Sequence, residues 1–377
     1  MPLQCFALRL VLPCGRSLRR SPALRAPLVR AALLVPLAVV RAQDASVARR
    51  VHAPVAAAAW TTAAPPDAPL AISLLLGLYD DHERKVLVLE RGGYPRMVLN
   101  DSVSMPFTMR GDTILLPLDS PLRGELTLVE RDAARHVTAL LISGARIPRR
   151  ALGPDTGTQL VHRPLRPLDE LRREALAAAP PVEANRPAVS DLAELVTLDS
   201  SIHLDVRYAT THNLFGTIFY SQARAFLQRP AAESLASASA FLRQYGVGLL
   251  VHDGYRPWYV TRMFWDAASP EVRPFVADPA SGSKHNRGAA VDLSLYDRRT
   301  GTPIVMPSTY DETSPRAAAD WPGGTSRQRW YRDVLRHAME SHGFTVNPVE
   351  WWHFDFHGWD RYPILNTPFE TLGRSTH

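Results

Sequence analysis

The chain is almost without cysteine. Its two cysteines, Cys5 and Cys14, both lie within the first fifteen of 377 residues. A mature protein that starts beyond them has no thiol and no disulfide, so a metal site would be built from His, Asp or Glu. Long hydrophobic runs are also missing. The stretch Ala31–Val40 is ten residues long and contains Pro36, too short for a hydrocarbon core of about 30 Å. No later stretch has the length of a transmembrane helix. Residues 1–42 carry seven arginines and no Lys, Asp or Glu, although the whole chain has a formal net charge of +6. Beyond Ala42, 36 basic residues face 37 acidic ones, a net of −1. The basic character belongs to the leader, which removes the electrostatic case for nucleic-acid binding.

What is present reads from the N-terminus as follows. An arginine-rich region, a short apolar run and Val40-Arg41-Ala42 suit a signal peptide over 1–42, cleaved after Ala42. The expected location is therefore exported, periplasmic or extracellular; the alternative is a disordered basic tail. Residues 43–68, rich in Ala, Pro and Val, read as a flexible tether. Over 69–150, short apolar runs alternate with turn residues: Ile72–Leu78, Val86–Glu90, Met97–Leu99, Thr113–Leu118, Glu125–Val129 and Val137–Ile142. They predict a small antiparallel all-β accessory module of about seven strands. His82 and His136 are isolated within it and suit loop or surface roles. Residues 151–190 read as a Pro/Arg-rich linker with one helix, Leu168–Ala179. Over 191–377 both periods occur. Helices are expected at Pro230–Tyr245, Trp258–Ala268 and Trp330–His342, and strands at Gly246–His252, Val291–Tyr296 and Trp351–Phe356. This order predicts an α+β catalytic domain with a mostly antiparallel sheet.

Chemistry concentrates in three segments of that domain. In Ser283-Lys-His285-Asn-Arg-Gly288-Ala-Ala-Val-Asp292, a loop histidine and a strand aspartate flank a glycine. Alternation sends Val291, Leu293 and Leu295 to one face, and Asp292 and Ser294 to the other. Imidazole and carboxylate are good zinc ligands, and a catalytic zinc usually keeps three protein ligands. The third is expected from Glu350-Trp-Trp-His353, where His353 closes the site and Glu350 holds and deprotonates a water. In Asp253-Gly-Tyr-Arg256-Pro, Arg256 at a strand end suits an oxyanion, oriented by Asp253. On spacing alone, that pair reads equally as a structural ion pair, and a lone histidine is more often a hydrogen-bonded residue than a ligand.

The segments Ser283–Asp292 and Glu350–His353 match S-x-H-x-x-G-x-A-x-D followed by E-W-W-H. Leu204-Asp-Val-Arg-Tyr208, Gly248-Leu-Leu, Asp253-Gly-Tyr-Arg-Pro and Met306-Pro-Ser-Thr-Tyr-Asp311 accompany them in order. Over residues 195–365 the chain resembles the zinc D-alanyl-D-alanine dipeptidases, the group that includes the vancomycin-resistance dipeptidase. The resemblance implies one Zn2+ per chain on His285, Asp292 and His353, with Glu350 as general base and then acid. It implies Arg256 at the transition state, Asp311 and Tyr208 near the substrate amino group, and Ser283 near its carboxylate. The implied partner is a small D-amino-acid dipeptide. The alternatives are a zinc D,D-carboxypeptidase or endopeptidase acting on peptidoglycan stems, and a zinc-stabilised binding module without turnover. Lys284 within the first motif departs from the pattern as a cation expected at the site mouth. The β module lies outside the resemblance, and envelope or cell-wall docking is its expected role.

Overall fold

Paired turn residues with positive φ set the architecture of the N-terminal half. The computed structural model describes residues 62–101, 103–118, 127–153, 161–183 and 188–372. The expected leader and its cleavage point, both cysteines and most of the expected tether lie outside them. Eight strands follow one another: β1 (Gly77–Asp80), β2 (Lys85–Arg91), β3 (Tyr94–Leu99), β4 (Val103–Arg110), β5 (Ile114–Pro117), β6 (Thr127–Arg131), β7 (Val137–Ile142) and β8 (Ala145–Pro148). Each pairs antiparallel with the next, in the order β1 to β8. Gly92-Gly93 and Ser143-Gly144 supply the positive φ values of two-residue hairpin turns whose twist matches that of the strands. Tyr79 bridges Arg149, and the Arg150 N–H donates to the Leu78 carbonyl at 2.7 Å. The meander thus curls back on itself almost as a barrel.

The strand expectations hold in class and miss in detail. Leu70–Ser73 is a helical turn rather than the start of a strand. Its buried residue Ile72 and buried Leu75 just beyond it lie three apart, a helical spacing. Strands β4 and β8 add to the expected set; Pro106 inside β4 weakens that segment as a strand signal. Glu125 lies outside the described residues.

Strand β2 is buried on both faces. Val86 and Val88 enter the barrel core with Met97, Phe107, Leu115 and Ile147. Leu87 and Leu89 face outward against Leu152 and Trp321. Buried Glu90 reaches the following domain directly. Its carboxylate accepts the Ser326 N–H at 2.5 Å and the Gly93 N–H at 2.6 Å, a negative charge at a helix N-terminus.

The C-terminal half is built on β10 (His203–Leu204), β12 (Val247–Asp253), β13 (Ala290–Asp297), β15 (Glu350–Phe356) and β14 (Phe344–Asn347), in that spatial order. Only β10 and β12 are parallel, so the sheet is mostly antiparallel as expected. A two-stranded sheet, β9 (Leu192–Glu194) with β11 (Phe226–Gln228), lies apart. Four helices of ten or more residues are described: α1 (Leu168–Ala177), α2 (Arg229–Leu242), α3 (Trp258–Ala267) and α4 (Ser326–Glu340). Helix α4 begins four residues before its expected start at Trp330. The Gln328 N–H donates to Thr325 Oγ1 at 3.0 Å and the Thr325 N–H to Gln328 Oε1 at 2.8 Å, a capping box.

Alternation then sorts the two faces of the sheet. Leu249, Val251, Val291, Leu293 and Leu295 pack with Leu235, Leu242, Val334 and Leu335 of α2 and α4. Across the domain, an aromatic cluster of Tyr208, Phe215, Phe219, Tyr220 and Phe264 joins α3 to Leu171 and Ala175 of α1. No helix among the described residues is long and apolar enough to cross a membrane.

Candidate metal centre and its surroundings

Two irregularities in strand pairing assemble the site. On β12, Val251 opposes Leu293 while Asp253 opposes Asp292, so His252 is an extra, bulged residue. Asp292 in turn opposes His353 on β15. Directly opposed residues share a face, which sets Asp253, Asp292 and His353 in one row across three central strands. On β15 the partner of Val346 is Phe354 and that of Asn347 is Glu350. Three residues are therefore accommodated without partners on β14. Regular alternation would send Glu350 and His353 to opposite faces; the bulge re-aims Glu350.

His285 arrives from a loop. Residues His285–Arg287 form a short 3-10 turn that closes on Gly288 at φ +61°. A Cβ there would lie 2.5 Å from Leu192 Cδ2 and 3.3 Å from the Gln228 backbone nitrogen, so the glycine is required for close approach as well as for φ. Asn286 Nδ2 donates to the Arg256 carbonyl and to Thr261 Oγ1, both at 2.8 Å. Ser283 Oγ accepts the His285 N–H at 3.2 Å, so in this structure Ser283 supports the turn.

The ligating atoms of His285, Asp292 and His353 all lie within 4.8 Å of one another. His285 Nε2 is 3.1 Å from His353 Nδ1, His353 Nδ1 is 2.9 Å from Asp292 Oδ1, and His285 Nε2 is 3.4 Å from Asp292 Oδ1. Ligands about 2.0–2.1 Å from a tetrahedral zinc lie about 3.3 Å apart, so the spacing suits such an ion. The outer ring nitrogens fix the tautomers. His285 Nδ1 faces the Gly254 carbonyl at 2.7 Å, and His353 Nε2 faces Asp355 Oδ1 at 3.0 Å. Each outer nitrogen meets only an acceptor and carries the proton, leaving two lone pairs and a carboxylate directed at one point. That donor set calls for a cation.

The electrostatics agree. Burial works against a charged His353, but hydrogen bonds to Asp292 and Asp355 outweigh it and push the imidazole up to about 10. Burial likewise opposes ionisation of Asp292, yet His285 and His353 hold it well below the usual carboxylate range. The bare cluster thus retains a proton that a metal ion would displace.

Around this trio the structure gathers most of the expected residues. Half-buried Glu350 accepts from Asn347 Nδ2 at 2.9 Å. Burial raises its pKa, as does Asp292, against the opposing charges of His353, His285 and Arg256. Arg256 Nη2 and Nε donate to Asp253 Oδ2 at 2.6 and 3.1 Å. The other Asp253 oxygen accepts from Tyr220 Oη at 2.7 Å. The Arg256 guanidinium lies 4.8 Å from the Phe264 ring centre and 5.5 Å from that of Tyr208. Tyr208 Oη donates to Asp311 Oδ2 at 2.9 Å. Burial, then the charge of Asp292, push Asp311 up to about 8, and its backbone sits at φ +60°.

Two contributors were not anticipated, and a third takes a different place from the one expected. Tyr310 Oη donates to Asp292 Oδ2 at 3.0 Å; nothing in its spacing announces this, because a loop delivers it. Asp355 was legible in principle, since residues two apart on a strand share a face. Lys284 is the third. It is not a free cation at the site mouth: its Nζ bonds Asp355 and lies 5.0 Å from the Trp359 ring centre. Its charge supports the carboxylate that holds His353.

A family model described as D-ala-D-ala dipeptidase matches residues 189–370. The D-alanyl-D-alanine dipeptidase of Escherichia coli (strain K12) is 32% identical over 180 residues, covering 48% of this chain and 92% of that protein. The corresponding protein of Enterococcus faecium is 33% identical over 181 residues, covering 42% and 88%. That of Streptomyces coelicolor is 31% identical over 182 residues, covering 44% and 90%.

Proposed function

This chain belongs to the D-ala-D-ala dipeptidase family of metallopeptidases, and we propose that it is a zinc enzyme that hydrolyses the D-Ala-D-Ala dipeptide, with Glu350 moving the protons. The observation that carries the reading is the convergence of His285 Nε2, Asp292 Oδ1 and His353 Nδ1, 2.9–3.4 Å apart, with both imidazole tautomers set from behind. These three residues would hold one Zn2+. When bound, such an ion polarises a peptide carbonyl and acidifies water.

The remaining work falls to the chain's own side chains. Glu350, its pKa raised by burial, takes a proton from the attacking water and returns it to the leaving amine, which needs a base poised towards neutral pH. Arg256 is held rigid by Asp253 and two aromatic rings. Its guanidinium serves the developing oxyanion. Asp311 and Tyr208 receive the substrate amino group, and Ser283 lies towards its carboxylate. Pairing both termini in this way favours dipeptides, because other substrates would leave buried polar groups unmatched. The leader suits export to the periplasm or the cell exterior.

The nearest alternative is a zinc D,D-carboxypeptidase or endopeptidase acting on stem peptides. The purified mature chain is incubated with free D-Ala-D-Ala and with a pentapeptide stem, with and without a chelator, and products are identified. Chelator-sensitive release of D-Ala from the dipeptide is expected. Cleavage of the stem alone would favour the alternative, and activity that survives complete metal removal would refute both.

A further inference from the structure

The segment that joins the β module to the catalytic domain ends against the loop that carries His285. Glu183 belongs to that segment and precedes residue 189, where the family match begins. Its side chain is only 16% exposed, and that of Arg287 only 5%, so the two meet largely out of water. Arg287 Nη2 donates to Glu183 Oε1 at 2.5 Å and Nη1 to Oε2 at 3.2 Å, a paired fork. Glu183 Oε2 also accepts the Ile364 N–H at 2.8 Å. One carboxylate thus meets both ends of the loop 282–288. Ile364 covers its start, where a Cβ on Gly282 would lie 2.4 Å from Ile364 Cδ1. Arg287 stands near its end, two residues beyond His285.

Neutral bonds hold the backbone of this loop. The Arg287 carbonyl accepts from Gln228 Nε2 at 2.8 Å, and Gln228 Oε1 accepts the Asp191 N–H at 2.9 Å. The Leu365 N–H donates to the Asn286 carbonyl at 2.9 Å. The Arg287 guanidinium is different, because it brings a full charge into a buried place. Its Nη1 also donates to the Tyr362 carbonyl at 2.6 Å, and the Trp359 ring centre lies 5.7 Å away. Both favour a cation, but neither carries a compensating charge. A buried cation that loses its anion is strongly disfavoured. It draws in water or swings outward, and either movement pulls on the turn. Metal ligands must keep their places to within about 0.5 Å. Lys284 of the same loop bonds Asp355 behind His353, so a displaced turn disturbs both imidazoles.

We propose that Glu183 is a positioning residue for the metal centre: the linker is a strap that fixes the His285 turn through Arg287. The metal affinity of this chain then depends on a segment outside the family match. The inference rests on the metallopeptidase reading of the cluster.

The test titrates zinc into the metal-free mature chain against a chromophoric chelator, and records the visible spectrum of the protein loaded with Co2+ instead. Glu183→Gln keeps the size of the side chain and removes its charge. It should weaken zinc binding about tenfold, the lower end of the range for groups behind metal ligands. It should also shift the cobalt spectrum, which reports ligand geometry and not the stability of the fold. Glu183→Asp keeps the charge one methylene short and should fall between the parent and the Gln variant. In the double variant Glu183→Gln/Arg287→Gln no charge is left stranded, so its loss should be smaller than the sum of the two single losses. Parental zinc affinity and cobalt spectrum in folded Glu183→Gln overturn the strap and leave the metal reading standing; additive losses overturn the route through Arg287. Should the Gln variant not fold, Glu183→Asp decides: weakened zinc binding upholds the strap, and parental affinity overturns it. A parent chain that binds no zinc refutes the metal reading and the strap with it.

Discussion

Replacing Asp355 with Asn should weaken zinc binding although Asp355 is not placed among the ligands. Its Oδ1 accepts from His353 Nε2 at 3.0 Å, and its other oxygen bonds Lys284 Nζ. An amide keeps the shape but offers one acceptor and one donor end. The ammonium of Lys284 has only donors, so the amide oxygen turns to it and the NH2 group turns to His353. The ring then prefers a lone pair at Nε2 and a proton at Nδ1, the atom directed at Asp292 Oδ1 and His285 Nε2. Partners of this kind typically contribute about 10- to 100-fold in metal affinity, roughly 1.4–2.8 kcal/mol. Zinc is titrated at fixed pH against a chromophoric chelator, and thermal unfolding with and without metal gives a second measure by linkage. The double variant Asp355→Asn/Lys284→Met removes the competing donor and should recover much of the affinity, because the amide oxygen can return to His353. Unchanged affinity in the folded single variant, or a further loss in the double variant, would refute the tautomer argument.

Four other outcomes are expected. Glu350→Gln should lower turnover about 10²- to 10⁴-fold with zinc content unchanged by elemental analysis. In the parent enzyme, burial raises the Glu350 pKa and the base acts deprotonated, so kcat/KM should fall as pH drops through a midpoint above the usual Glu value of about 4.3; a midpoint at or below that value contradicts the assignment. Arg256→Ala strands the buried Asp253 carboxylate, destabilising the fold by about 3–5 kcal/mol in denaturant titration and reducing kcat about 10²- to 10³-fold, while Arg256→Lys should restore stability more than rate because it lacks the planar fork. Gly288→Ala forces a side chain into φ +61° against Leu192, about 1–2 kcal/mol of backbone strain, and should loosen the His285 turn enough to weaken zinc affinity measurably.

Residue type and spacing put His285, Asp292, His353 and Glu350 forward as candidates, and the resemblance to a family singled them out. Donor-rich residue types in loops and beside buried strands are chemically conspicuous, and a chain without cysteine beyond Cys14 leaves few other ligands. Alternation in β13 gave the facing of Asp292, because Val291, Leu293 and Leu295 do enter the core. Element type was equally local: the α+β order and the mostly antiparallel sheet followed from period and turn chemistry. Boundaries were less so, as the capping box that starts α4 at Ser326 rather than Trp330 shows.

Tertiary structure decided the rest. The bulge at His252 and the longer one between Phe354 and Glu350 exist only as mismatches between strands, and a single strand's pattern holds no record of its partner's register. Those mismatches set Asp253, Asp292 and His353 in one row and bring Glu350 to their side. Tyr310 reaches Asp292 from a loop, Lys284 turns inward to Asp355, and Glu183 of the linker meets Arg287 beside the metal cluster. Such contacts depend on which distant backbone lies opposite. Sequence period specifies the face a side chain occupies, while register and domain packing specify what that face meets.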